Sequence, residues 1–319
     1  MPLLSVRDLR LYYRTSRGPV RAVDNVAFEM EKGQTLAMVG ESGCGKTSTA
    51  NAILRVLPRN INRFDGTVEL DGENVMEYDH ETFRKEVRWK SISMVFQGAM
   101  NTLNPVLKVG YQVGEPLIYH ADAERSEAIE EAERALTSVG LPPDTVDRYP
   151  HELSGGMKQR AVIAMAIILH PRLIILDEPT SALDVMTQAN IINLLKDLRS
   201  REGLSYIFIT HDLGLASELA DRVAIMYAGR IAEIGTAEEI YNDPLHPYTR
   251  MLMNSVPRLH SDVTPVSIPG TPPDLVDLPE GCRFQERCPY AFEKCVQDPQ
   301  LDGRKRLAAC WLPEVQEAS

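Results

Sequence analysis

No stretch of this chain is apolar for long enough to cross a bilayer. The longest uninterrupted apolar run, Ala161 to Leu169, holds nine residues and closes at His170-Pro171, whereas a spanning helix needs about 20. No apolar run follows a basic start at the N-terminus, so no secretory leader is expected. Positive charge is nowhere clustered: 34 Lys and Arg are spread along the chain against 45 Asp and Glu, for a formal net charge of −11. That argues against a nucleic-acid partner, whose phosphates must be neutralised by grouped cations. Internal repeats and low-complexity tracts are also missing. Cysteine is sparse, with five in 319 residues, but four of the five fall in the last 38. What is present, 44% hydrophobic and 25% charged residues, fits an ordinary globular protein of roughly two domains. The expected compartment is the cytosol, where disulfides are disfavoured.

The most informative segment is Gly40-Glu41-Ser42-Gly43-Cys44-Gly45-Lys46-Thr47-Ser48, directly after the apolar run Thr35-Leu36-Ala37-Met38-Val39. This is a phosphate-binding loop of the form G-x-x-x-x-G-K-[ST], placed where a strand hands over to a helix. Glycines allow backbone N–H groups to close on phosphate oxygens, and the following helix points its positive end at the same anion. Lys46 is expected to reach the β- and γ-phosphates and the Thr47 hydroxyl to bind Mg²⁺. The ligand read from these residues is a nucleoside triphosphate.

Further along, Val23 to Met30 alternates as a strand and Asp71-Gly72 marks a turn. Ala128, Ile129, Ala132, Ala135, Leu136 and Val139 recur at helical spacing, the stripe of a helix packed on its own domain. The runs Leu173–Leu176 and Tyr206–Ile209 are apolar on both faces, as in a buried parallel sheet, and their alternation with helices indicates an α/β core. Beyond about Asn242 proline becomes frequent and periodicity fades, which places a boundary near 236–243. The expected domains are residues 1–240 and 241–319.

The run ending in Asp177-Glu178 puts two carboxylates at a strand C-terminus, the ligand side of an open α/β sheet. Asp177 is expected to hold Mg²⁺ and Glu178 to orient and deprotonate the attacking water. Ser154-Gly155-Gly156 before a helix offers a hydroxyl and free N–H groups to an anion. Taken with Met157-Lys158-Gln159-Arg160, it closely resembles the signature sequence of ATP-binding cassette (ABC) ATPases, with Met157 where Gln is more usual. Gln97, at the end of Ser93-Met94-Val95-Phe96, matches that family's Q-loop glutamine. Ser181-Ala182-Leu183-Asp184 matches the D-loop, and His211 in Ile209-Thr210-His211-Asp212 matches the switch histidine.

The resemblance implies an ABC nucleotide-binding domain: a P-loop core sheet, an antiparallel β subdomain, and a helical subdomain at about 98–158. It also implies a head-to-tail dimer enclosing two ATP molecules. Gly40, Ser42, Gly43, Cys44, Gly45, Lys46, Thr47 and Ser48 would hold one nucleotide, while Ser154 and Gly156 contact the one held by the partner chain. His211 would touch the γ-phosphate, and Gln97 would join Thr47 and Asp177 on Mg²⁺. The position that stacks on adenine falls near Arg17, with Tyr12 and Tyr13 slightly upstream.

Thr102-Leu103-Asn104-Pro105, Tyr149-Pro150-His151-Glu152 and Asp243-Pro244-Leu245-His246-Pro247-Tyr248-Thr249-Arg250 are similar to the oligopeptide/dipeptide importer ATPases. So are Gly281-Cys282-Arg283-Phe284, Arg287-Cys288-Pro289 and Ala309-Cys310-Trp311. This branch implies two membrane permease subunits, a second and typically paralogous ATPase, an indirectly coupled extracytoplasmic solute-binding protein, and a peripheral place on the cytoplasmic face of the membrane. Its members also move oligosaccharides and nickel complexes. A soluble ABC ATPase of DNA repair or translation is the rival class; between residues 47 and 154, however, there are no sustained heptads and no cysteine pair.

Cys282, Cys288, Cys295 and Cys310 are separated by five, six and fourteen residues, unlike the close pairs of structural zinc sites. Four thiolates of this spacing suit a [4Fe–4S] cluster, which the resemblance also favours because some members of the group carry one. Zinc, or four ordinary core cysteines, are the alternatives.

Overall fold

The computed structural model describes residues 1–255, 267–301 and 307–312. The chain divides into two compact units. The first comprises residues 1–30, 35–76 and 209–319, and the second comprises residues 31–34 and 77–208.

The first unit opens with β1 (Leu4–Thr15) and β2 (Gly18–Met30), an antiparallel hairpin in register from Leu4↔Met30 to Thr15↔Gly18. The strand expected at Val23 therefore begins five residues earlier, at Gly18, because the ladder with β1 holds its polar start. β3 (Thr35–Val39) is buried along its whole length and leads into α1 (Lys46–Ile53). β4 (Ile61–Leu70) pairs antiparallel with β1, and the short β5 (Glu73–Asn74) pairs with β4. These strands form a four-stranded antiparallel sheet in the order β2-β1-β4-β5.

The second unit carries β6 (Ile92–Val95), preceded by a one-turn helix α2 (His80–Thr82). Next come α3 (Val109–His120), α4 (Arg125–Ser138) and α5 (Gly155–Ile167). The apolar stripe read from the sequence is the buried face of α4: Ala128, Ala132, Ala135 and Leu136. A capping box between Glu124 and Glu127 starts this helix. β7 (Leu173–Asp177) lies parallel to β6. α6 (Val185–Glu202) starts on the Asp184 side chain, which accepts from Thr187 N–H, and stops at Gly203 in the left-handed region. β8 (Ser205–Thr210) begins in this unit, where the strand order is β8-β7-β6.

Back in the first unit, α7 (Leu213–Leu219) precedes the hairpin of β9 (Arg222–Tyr227) and β10 (Arg230–Thr236). Its two turn residues, Ala228 and Gly229, both have positive φ, 46° and 83°, matching the twist of the flanking strands. β9 runs parallel to β3. α8 (Ala237–Asn242) and α9 (Pro247–Asn254) follow, and β11 (Leu307–Ala308) adds to the edge of β10. The Pro-rich segment shares the core of this unit: Tyr248, Met253 and Phe284 pack in one cluster with Val39, Ile225 and Tyr227, and Leu275, Leu278, Cys282 and Cys288 lie against it.

Among the described residues, no helix is long and apolar enough to cross a membrane.

Candidate functional site

The phosphate loop lies in the first unit, between β3 and α1. Gly45 caps α1 with φ +108°, and a Cβ there would stand 2.1 Å from the carbonyl oxygen of Ala22. A Cβ at Gly40 would stand 2.2 Å from the Met226 carbonyl oxygen. Both glycines are thus required by the close approach of neighbouring backbone, which draws the loop into a tight ring.

Lys46 is buried and turns its ammonium back across that ring, donating to the carbonyls of Gly40 (2.8 Å) and Glu41 (3.0 Å). Cys44 fills the space beneath, its sulfur 3.7 Å from Lys46 Nζ. Burial raises the Cys44 thiol and Lys46 only partly opposes it, so the thiol stays neutral and acts as a spacer. Thr47 is exposed, Ser48 is half-buried, and Ser48 Oγ accepts from the Tyr13 hydroxyl at 3.1 Å. That bond places the Tyr13 ring beside the start of α1. Arg17, the other residue expected at adenine, is exposed and ion-paired with Asp274 at 2.6 Å. His211 is also in this unit, exposed at the turn before α7, which Asp212 caps by accepting from Leu215 N–H.

The remaining expected residues lie in the second unit. Asp177 ends β7 and is 1% exposed. Glu178 follows with φ +47°, a left-handed conformation that costs a non-glycine residue on the order of 1 kcal/mol or more and is typical of strained functional positions. Gln97 Nε2 donates to Glu178 Oε2 at 2.8 Å. This fixes the amide, leaving its oxygen as the group available to a cation. Within this unit Gln97 and Asp177 offer amide and carboxylate oxygens, donors of the kind that Mg²⁺ takes. Ser154 is exposed and caps α5, its Oγ accepting from Met157 N–H at 3.3 Å. Gly155 is exposed and Gly156 half-buried beside it, so the first turn of α5 presents its N–H groups outward.

The four C-terminal cysteines are all reduced, with Cys295 and Cys310 buried and Cys282 and Cys288 partly so. They lie within electrostatic reach of one another, and burial together with the neighbouring thiols pushes Cys282 up to about 12. Burial raises Cys288 and Cys310 as well. Yet no group of three or more His, Cys, Asp or Glu side chains among the described residues is arranged to hold a metal ion. The four thiols expected as a ligand set thus lie in one region of this unit, without forming a preassembled metal site among the described residues.

Sequence reading also missed a set of long-range contacts, one on the loop and the others on β2 beside it. Glu41 pairs with Arg287, and Asp24 is held by Tyr12 (2.5 Å) and by Arg283 and Arg230. Burial opposes ionisation of Asp24, but the Tyr12 hydroxyl and the Arg283 guanidinium keep its carboxyl below the usual range.

Residues 23–181 match the ABC transporter family, and residues 232–295 match the oligopeptide/dipeptide transporter C-terminal region. The chain is 44% identical over 316 residues to the oligopeptide transport ATP-binding protein OppD of Escherichia coli (strain K12), covering 98% of this chain and 93% of that protein. It is 43% identical over 321 residues to the dipeptide transport ATP-binding protein DppD of Bacillus subtilis (strain 168), covering 98% of this chain and 95% of that one. Among solved structures, the dimeric ATP-binding cassette MJ0796 bound to ADP and phosphate superposes with a TM-score of 0.64 at 28% identity, over 73% of this chain and 98% of that one. The expected α/β cassette class thus holds, and the chain belongs to the ABC transporter ATPases, in the branch that carries the oligopeptide/dipeptide C-terminal region.

Proposed function

We propose that this chain is the motor subunit of a peptide importer, which binds ATP on the Lys46 loop and hydrolyses it with the help of the carboxylates at the C-terminal end of β7. In this reading Glu178 takes the proton of the attacking water, Gln97 positions Glu178, and His211 donates to the γ-phosphate. Lys46 and the N–H groups of the phosphate loop neutralise the transferred charge. Mg²⁺, held by Thr47, Gln97 and Asp177, would screen the phosphate oxygens. Ser154 and Gly156 would close on the nucleotide of a second ATPase in a head-to-tail dimer, which the exposure of Ser154 supports. The observation that carries the catalytic reading is the 2.8 Å bond from Gln97 to Glu178, which aims a general base held in a strained conformation.

The partners are two permeases, a paralogous ATPase and, through the permeases, a solute-binding protein, which places the chain on the cytoplasmic face of the membrane. Oligosaccharides or nickel complexes are the other cargoes of such a scaffold, and the match of residues 232–295 favours peptides. It also disfavours the soluble repair or translation classes.

For the tail, we infer a [4Fe–4S] cluster on Cys282, Cys288, Cys295 and Cys310. Supporting this are backbone N–H groups already aimed at sulfur: Phe284 at Cys282, Tyr290 at Cys288, and Trp311 and Leu312 at Cys310. Such bonds stabilise thiolate ligands. The cluster would be structural, since ATP hydrolysis needs no redox step.

Glu178→Gln tests the motor reading. It keeps the shape and removes the base, so ATPase activity of the assembled transporter should fall at least a hundredfold while ATP binding persists. Turnover near wild type would reject it.

A further inference from the structure

Glu41 is an acidic residue inside an anion-binding loop, and each of its polar groups is committed. Its carbonyl accepts from Lys46 Nζ at 3.0 Å, and its N–H donates to the Tyr248 hydroxyl at 3.1 Å. Its carboxylate receives both arms of Arg287, Nη1 to Oε2 and Nη2 to Oε1, each at 2.9 Å. Tyr248 and Arg287 both come from the segment beyond residue 240.

Arg287 is itself fixed. Its side chain is 6% exposed, Nε donates to the Pro269 carbonyl at 2.8 Å, and Nη1 also reaches the Tyr227 hydroxyl at 3.2 Å. The guanidinium lies 5.7 Å from the Tyr227 ring centre and 5.9 Å from that of Phe284. The pairing with Glu41 raises its already high pKa further, so the charge is permanent. A planar fork held at every edge fixes a carboxylate as a lysine could not.

We propose that Arg287 is a positioning residue for ATP, through which the C-terminal segment neutralises and immobilises Glu41 so that the loop can accept a polyphosphate. This rests on the reading of the Lys46 loop as the nucleotide site. Without Arg287, the Glu41 carboxylate is a free negative charge beside the phosphates. It can also turn toward the Lys46 ammonium, 3.0 Å from its own carbonyl. Both effects oppose the anion, and both are larger for ATP than for ADP, which carries one charge less.

The test is equilibrium binding of a fluorescent ATP analogue, and of its ADP counterpart, to the full chain with Mg²⁺. Wild type, Arg287→Met, Arg287→Lys, Glu41→Gln, the double Glu41→Gln/Arg287→Met and Lys46→Ala are compared at low and at high salt. Arg287→Met should weaken ATP binding about tenfold and ADP binding less, with the gap narrowing at high salt as the charge is screened. Arg287→Lys should fall between. The double variant should bind within about threefold of Glu41→Gln alone, because removing the carboxylate removes the need for its partner. A merely structural role for Arg287 would not be relieved by a change at Glu41. Unchanged ATP affinity in Arg287→Met, or a double variant as weak as Arg287→Met, would overturn the proposal. If Arg287→Met does not fold, Arg287→Lys decides: several-fold weaker binding supports the role, and wild-type affinity overturns it. Lys46→Ala separates the two readings, because nucleotide binding that survives it would reject the loop as the nucleotide site, whatever Arg287 does.

Discussion

Acidification should loosen the first unit through one histidine. His246 is buried where α9 begins; its Nδ1 accepts from Tyr248 N–H at 3.0 Å and its other ring nitrogen donates to the Ala309 carbonyl. Burial, aided by the charge of Arg250, lowers it from 6.5 to about 4. An imidazolium there would have to turn its Nδ1–H against the N–H it now caps. Because the folded-state pKa is depressed, the contribution is fully present above about pH 6.5 and is lost as pH falls toward 4. The unfolded chain binds the proton first, so stability drops in that window. The fall is about 2 kcal/mol by pH 5 and about 3 kcal/mol below pH 4. Urea unfolding of wild type and His246→Asn at pH 7 and pH 5 measures it. Asparagine keeps an acceptor for the helix cap but carries no titrating group, and so it subtracts the carboxylates common to both proteins. Wild type should lose about 2 kcal/mol more than the variant between the two pH values. Parallel losses would refute the reasoning.

The loop glycines should differ sharply in tolerance. Gly45→Ala drives a Cβ to 2.1 Å from the Ala22 carbonyl oxygen and should abolish ATP binding, whereas Gly43→Ala, at φ +79° with open space around it, should cost about 1–2 kcal/mol of backbone strain and retain binding. Melting temperature and nucleotide affinity of the two variants separate them, and equal behaviour would contradict the packing of the loop on β2. Protein purified anaerobically should carry about four irons per chain and absorb broadly near 400 nm if the tail cysteines hold a cluster. Iron-free, colourless protein with four titratable tail thiols would reject that ligand set.

The parts of the fold that were legible in the sequence are those fixed by short spacing. Leu173–Leu176 and Tyr206–Ile209 read as buried strands because both faces are apolar, and they are the bodies of β7 and β8. In the turn between β9 and β10, Gly229 is a residue type suited to its positive φ, but Ala228 also takes a positive φ there, which the sequence did not signal. Gly18 to Ala22 lie outside the alternating stretch Val23 to Met30, since Pro19 and Arg21 break the apolar alternation. Only pairing with β1, seen in Thr15↔Gly18 and Tyr13↔Val20, makes them part of the strand. The same limit applies to Glu178. Its place after a strand was readable, but its left-handed backbone was not, because it arises from the chain turning from β7 into the following loop.

The Pro-rich tail shows where spacing stops being informative. Periodicity fades beyond about Asn242, yet α9 (Pro247–Asn254) forms there, and the fading says nothing about what this part of the chain packs against. Arg287 and Glu41 lie 246 positions apart, and no local pattern links them. A physical signal was nevertheless present. A loop built to receive phosphate carries an acid at its second position, and an unneutralised carboxylate there would repel the ligand that the glycines, Lys46 and the helix end are arranged to attract. Such a residue is tolerable only if a cation is held against it, and within the loop Lys46 is already committed to the carbonyls of Gly40 and Glu41. The balancing charge must then come from elsewhere in the chain. The charge conflict inside the loop therefore predicts a distant basic partner, and an arginine is the side chain that can satisfy both carboxylate oxygens at once.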